Sequence, residues 1–115
     1  MPDKAVIVDG CVVGNGVEAI VSGPIDFDTV ADLEATLRSL MVQTTRMLDI
    51  DMSECTFFDS TGMRLFVSLD SLMRNRAGGL TLHRPSPIVR RILEVTGLTG
   101  IRVVDQPLTS LPRRT

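Results

Sequence analysis

Period-two runs rich in Val and Ile alternate along this chain with amphipathic runs of helical period, and that alternation limits the possible folds more than any other feature. Residues 5 to 9 (AVIVD) and 17 to 22 (VEAIVS) read as two antiparallel strands joined through the GNG of 14 to 16, with Gly23-Pro24 closing the second. In DFDTVADLEATLRSLM, Val30, Leu33, Leu37, Leu40 and Met41 recur at helical spacing, and Asp28 or Thr29 can cap the first turn. Residues 47 to 52 (MLDIDM) return to period two, with Leu48, Ile50 and Met52 on one side and Asp49 and Asp51 on the other. A second helix starts near Ser60 and carries Leu65, Phe66, Leu69, Leu72 and Met73. Gly78 and Gly79 stop it, one of them in the left-handed position that commonly ends a helix. LTLH (80 to 83) is a short strand, Ser86-Pro87 starts a third helix that Gly97 ends, and IRVV (101 to 104) is the last strand.

The order β-β-α-β-α-β-α-β predicts an α/β fold: a mixed, mostly parallel sheet of about five strands, with three or four helices in right-handed crossovers. The 115 residues fit one domain, with its core over about 5 to 105. The tail from about 106 to 115 lacks an apolar pattern and is expected to fray, unless part of it extends a helix.

Charge and thiol content then remove whole classes of function. A formal net charge of −2 gives no field to attract nucleic acid or an anionic membrane. The basic residues of the second half, among them Arg74, Arg76, Arg84, Arg90, Arg91, Arg113 and Arg114, are interleaved with core positions and read as a solvated face. MPDKAVIVDG has neither the charge pattern nor the apolar run of a signal peptide, and no stretch approaches the ~18 apolar residues of a membrane span, so a cytoplasmic protein is expected. Cys11 and Cys55 sit among apolar neighbours without a CxxC pair, which reads as two small buried hydrophobes. A redox pair would need their Cα atoms within about 7 Å.

Several chemistries can be tested on the residues present. MLDIDMS resembles a phosphatase strand in which the first Asp attacks phosphorus and the second handles the proton. That reaction also needs further acids to hold a metal and a lysine to neutralise the phosphate, and the only lysine is Lys4, far upstream. His83, the only histidine, has no G-x-S-x-G serine to activate, and no glycine-rich loop carries GK[ST]. No catalytic residue, cofactor or metal is expected.

The segment FFDSTGM (57 to 63) lies where a strand gives way to a helix. Free N–H groups of the first turn point there, and the helix dipole adds partial positive charge. Asp59 or Ser60 can cap the helix, Gly62 allows close approach to the backbone, and Phe57 and Phe58 anchor the connector, at least one of them in the core. The cluster reads either as an ordinary N-cap or as a phosphorylation site. A phosphate would bring about −1.5 to −2 charge, which a helix mouth tolerates and a partner docked over it does not. Met63 and Val67 lie off the core stripe, either as a small docking patch or packed beneath a neighbour.

Taken together, FFDSTGM, the preceding MLDIDMSECT and the following GGLTLHRPSPIVRRILEVTGL resemble the STAS domain of bacterial anti-sigma factor antagonists. GPIDFDTVADL resembles that family's Gly-x-x-Asp approach to the first helix, and the likeness spans about residues 17 to 105. The resemblance implies a single STAS-like α/β domain that switches partners. Unphosphorylated, such a protein binds an anti-sigma factor that is itself a serine kinase of the histidine-kinase ATPase fold, and so frees a sigma factor. Phosphorylation of the second hydroxyl of the motif, here Thr61 with Ser60 as the fallback acceptor, releases the partner, and a separate phosphatase reverses it. Many members carry serine at that position. The implied partner-binding residues are Asp26, which matches the acid ending the second strand, with Asp59, Ser60, Thr61, Gly62, Met63 and Val67. The family also supplies an alternative: a STAS subunit of a lipid-transport ABC complex that docks its ATPase through the same surface without phosphorylation.

Overall fold

The computed structural model describes residues 5–96 and 100–111. Its elements run β1 (Ile7–Val13), β2 (Gly16–Ile25), α1 (Val30–Leu40), β3 (Met47–Phe58), α2 (Ser60–Arg74), β4 (Gly79–His83), α3 (Pro87–Thr96) and β5 (Arg102–Val104). The five strands form one sheet in the order β1-β2-β3-β4-β5, with β1 antiparallel to β2 and every later pair parallel. This is the mixed, mostly parallel α/β sheet that the alternating pattern predicts.

Register decides where the core sits. Val17 lies beside Leu48 and Leu48 beside Leu80, while Ala19 lies beside Ile50 and Ile50 beside Leu82. Side chains opposite one another in a ladder share a face, so these residues make one apolar surface. Leu33 and Leu37 of α1 and Leu65, Phe66, Leu69 and Met73 of α2 join them in a single buried cluster, with Val89 of α3. The alternate residues, Glu18, Asp49, Asp51, Thr81 and His83, make the other face polar. Asp51 is buried there and accepts from the Ser53 N–H at 2.8 Å and the Ser53 hydroxyl at 2.6 Å. His83 lies between the Asp49 carboxylate and the Gln106 carbonyl, each 2.9 Å from a ring nitrogen. Both acids of the MLDIDM run therefore sit mid-strand in structural contacts.

The structure departs from the sequence reading at element ends. β1 covers 7–13 rather than 5–9, and β2 runs through Gly23-Pro24 to Ile25. β3 passes residue 52 and takes in both Phe57 and Phe58. The two extensions pair with each other: Gly23 with Cys55, Pro24 with Phe57 and Ile25 with Phe58. Register shifts between Ile20 and Ser22 and between Gly23 and Pro24 let the ladder accept a proline.

After α2 the left-handed residue is Ala77 (φ 63), not Gly78 or Gly79. The Ala77 N–H bonds the Arg74 carbonyl at 3.0 Å and the Gly78 N–H bonds the Met73 carbonyl at 2.8 Å, the paired bonds of a Schellman ending. Gly78 is needed for space instead, because a Cβ there would lie 1.7 Å from the Arg46 carbonyl oxygen. The Ser86 hydroxyl, expected to cap α3, donates to the Cys55 carbonyl at 2.8 Å and so ties the start of α3 to β3. Gly97, expected to end that helix, lies outside the described residues.

Of the tail expected to fray, residues 106–111 are described and lie against the sheet without forming a helix. Leu108 is buried, and Glu18 accepts from the Thr109 hydroxyl at 3.0 Å and the Ser110 N–H at 2.9 Å. A single acid on β2, distant in sequence, provides the anchor that the local pattern lacks.

Cys55 is buried and Cys11 partly so; neither forms a disulfide. Cys11 pairs with Glu18 and Cys55 with Gly23, five residues apart along β2. At ~3.3 Å per residue that separation exceeds ~16 Å, well beyond disulfide reach.

Candidate functional site

Two strand-to-helix junctions lie side by side where the parallel strands β2 and β3 end, the edge of an α/β sheet at which binding sites usually form. The Asp59 N–H donates to the Ile25 carbonyl at 3.2 Å and couples them directly.

At the β3 junction the helix begins without a loop. Asp59 is the N-cap of α2 in extended conformation (φ −114, ψ −171), and its carboxylate accepts from the N–H of Thr61 at 2.9 Å and of Gly62 at 3.4 Å. The Thr61 hydroxyl donates to the same Asp59 oxygen at 2.5 Å. Of the two capping candidates, Asp59 takes the role and leaves Ser60 exposed. Thr61 is half-buried.

The packing below is tight. Phe58 is buried and stacks on Phe66 with ring centroids 5.4 Å apart, whereas Phe57 is substantially exposed. Gly62 is buried, and a Cβ there would come within 2.7 Å of both Ile25 Cγ2 and a Phe58 ring carbon. The close approach that Gly62 allows is therefore made by the core beneath, not by anything outside. Cys55, in the strand leading to this junction, has its thiol pushed up to about 11 by burial, against the opposing pull of backbone contacts at Phe57 and Ile25.

At the β2 junction Asp26 is only 6% exposed. Its carboxylate accepts from the N–H groups of Asp28 at 2.9 Å and Thr29 at 3.2 Å, closing a turn before α1. Thr29 holds the N-cap position but makes no side-chain cap bond. Its hydroxyl turns back, donating to the Pro24 carbonyl at 2.8 Å and accepting from the Asp26 N–H at 2.9 Å.

Between these junctions α1 and α2 border a groove of about 340 Å³ lined by Phe27, Val30, Glu34, Thr61, Arg64, Leu65 and Ser68. Thr61 stands at its side. Phe27, in the loop after Asp26, is 80% exposed, the most exposed of the large apolar side chains described. Helical or strand periodicity does not single it out; the sequence signal for it is an apolar residue between two acids at a strand end (DFD).

Met63 and Val67 project elsewhere. Thr61 and Met63 are two residues apart, roughly 200° around the helix, so Met63 and Val67 lie on the flank away from the groove. Val67 is 45% exposed, while Met63 is partly buried against the core. Asp26, Asp59, Ser60 and Thr61 thus gather at one end of the sheet, Gly62 lies beneath them, and Met63 and Val67 form a separate patch. Among the described residues no group of three or more His, Cys, Asp or Glu is placed to hold a metal ion, and no helix is long and apolar enough to cross a membrane.

Comparison with known proteins gives a consistent result. A family model described as "Mlab, STAS domain" matches residues 15–105. An anti-sigma-B factor antagonist of Listeria monocytogenes is 33% identical over 85 residues, covering 74% of this chain and 75% of that protein. An anti-sigma-B factor antagonist of Staphylococcus aureus is 29% identical over 89 residues, covering 77% and 82%. Among solved structures, the anti-sigma factor antagonist SpoIIAA in its unphosphorylated form superposes with a TM-score of 0.73 at 22% identity, over 87% of this chain and 89% of that one. SpoIIAA of Bacillus in its phosphorylated form gives 0.66 at 20% identity, over 88% and 91%. The fold, the motif-bearing junction and the relatives agree: the chain belongs to the STAS domain family, related over most of its length to the anti-sigma factor antagonists.

Proposed function

We propose that this protein is an anti-sigma factor antagonist that works by partner switching, and that Thr61 is its phosphoacceptor. In the unphosphorylated state the surface around Phe27, Asp59, Ser60 and Thr61, with Asp26 sealed beneath it as a structural support, binds an anti-sigma factor, a serine kinase of the histidine-kinase ATPase fold. Phosphorylation of Thr61 releases that partner, and a phosphatase restores binding. The observation that carries the reading is the position of Thr61: a hydroxyl at the mouth of α2, beside an open groove and an exposed phenylalanine, on a base that cannot shift. A phosphate there meets the Asp59 carboxylate, which already holds the Thr61 hydroxyl and two N–H groups. The helix dipole offsets part of that like-charge repulsion, and the close packing under Gly62 lies apart from it, so the fold persists. A partner surface matched to the neutral hydroxyl would face about −1.5 to −2 additional charge and dissociate.

One observation favours a second reading. The short Thr61–Asp59 contact gives the hydroxyl a structural role of its own, which suits a STAS subunit of a lipid-transport complex docking an ATPase without phosphorylation. Incubation with an ATPase-type anti-sigma kinase and Mg-ATP, followed by intact mass and fragment mapping, separates the two. The first reading expects one phosphate at Thr61, its loss in Thr61→Ala, and weaker binding of the phosphorylated chain. A stable complex that never incorporates phosphate supports the second. Phosphate at Ser60 moves the acceptor by one residue.

A further inference from the structure

The two ends of the sheet are built differently. The β5 edge is three residues long and begins with an arginine, two devices that discourage strands from adding to an open edge. The β1 edge is seven residues, IVDGCVV, with no lysine, no proline and no register shift against β2. Ile7, Val12 and Val13 are all exposed on it, Val12 to 56%. Among the described residues, nothing pairs with its outer side.

The hairpin identifies which groups are open. β1 and β2 are joined by two residues, so the closing pair Val13–Gly16 exchanges hydrogen bonds and the pairs alternate from there. The N–H and C=O groups of Val8, Gly10 and Val12 consequently point outward.

We propose that this edge pairs antiparallel with β1 of a second copy of the chain, about a two-fold axis at Gly10. In that register Val8 lies opposite Val12 of the partner subunit and Ile7 opposite Val13 of the partner subunit, so each apolar residue meets another. Asp9, the one charged residue of the strand, lies opposite Cys11 of the partner subunit and not opposite itself. A symmetric shift in either direction leaves residues at the strand ends unpaired.

The helical layer meets the same axis. Leu40, at the end of α1, lies directly over Gly10, so the axis brings the C-terminal ends of the two α1 helices together and sets Leu40 beside Leu40 of the partner subunit. A single edge pair with one flanking helix contact falls near or below the ~1,200 Å² of a stable interface, so the dimer is weak and reversible. The groove at Thr61 is at another end of the sheet, so this inference is independent of the proposed function.

Sedimentation of the full chain between about 1 μM and 1 mM tests it, since a weak pair dissociates within that range. The wild type should move from monomer to dimer and no further. Val12→Lys should weaken the dimer at least tenfold with an unchanged melt, and Phe27→Ser should leave it intact. A wild type still monomeric at the highest concentration overturns the proposal. So does a dimer indifferent to Val12→Lys, a dimer dissolved by Phe27→Ser, or assembly beyond two copies. If Val12→Lys fails to fold, a short bis-maleimide decides. The two Cys11 thiols would be diagonal neighbours roughly 7 to 8 Å apart. A dimer band that disappears in Cys11→Ser supports the pairing, and its absence from the wild type refutes it.

Discussion

The junctions after β2 and after β3 use the same residue type to different ends. Each strand ends at an aspartate whose carboxylate accepts N–H bonds from the turn or helix that follows. Asp26 is sealed in, and the neighbouring threonine hydroxyl is turned inward to the Pro24 carbonyl. Asp59 is only half-buried, and its threonine stays at the groove side. The loop between strand and helix makes the difference. Three residues after Asp26 allow the chain to fold back over its acid, whereas α2 begins directly after Asp59 and leaves nothing to cover it. One junction is sealed, and the other leaves a hydroxyl beside the groove.

Substitutions can break that contrast or sharpen it. The largest stability loss is expected for Gly62→Ala, which drives a methyl into Ile25 and Phe58 beneath both junctions; about 2 to 3 kcal/mol should be lost in denaturant titration. Asp26→Ala should cost about 2 kcal/mol by leaving turn N–H groups without their acceptor. Asp59→Ala should cost about 1 kcal/mol, the usual loss for an N-cap that water can replace. If Asp59→Ala proves as costly as Asp26→Ala, the distinction between sealed and open junctions fails. Thr61→Glu forfeits the hydroxyl bond to Asp59 at a site that water reaches and should cost at most about 1 kcal/mol, while titration calorimetry against the partner shows at least tenfold weaker binding.

At neutral pH the smallest effect concerns Cys55, whose contribution changes only in alkali. Burial raises its thiol from an ordinary 9.0 to about 11, so the folded protein holds this proton longer than the unfolded chain does. The associated stability is complete below pH 9 and is lost as pH rises toward 11. Over that interval the wild type should lose stability more steeply than Cys55→Ala.

Local chemistry was legible in the sequence and distant chemistry was not. The α2 cap could be read because Asp59, Thr61 and Gly62 bond within three residues of one another. The alternation of strand and helix gave the sheet for the same reason, since each element carries its own period. Strand ends were misjudged because the Gly23-Cys55 and Ile25-Phe58 pairings exist only once β2 and β3 meet. Of Asp28 and Thr29, the two caps the sequence offers for α1, Thr29 takes the N-cap position, but the side-chain bonds to the turn come from Asp26, whose burial depends on the completed turn. Ala77 in a left-handed conformation defeats the rule that prefers glycine, because the glycine beside it was reserved for contact with Arg46. The docking of residues 106–111 rests on Glu18, more than ninety positions away from Ser110.

The seat beneath position 62 has a consequence for how such a site can vary. Ile25 and Phe58 leave no volume for even one carbon beyond the backbone, so any library randomised across residues 59 to 63 should return glycine there whatever binding is selected. Position 61 carries no such veto, since its side chain faces the groove. Serine and threonine can trade places there without disturbing the core, so descendants of one ancestor are free to drift between the two hydroxyls while inheriting an unchanged platform.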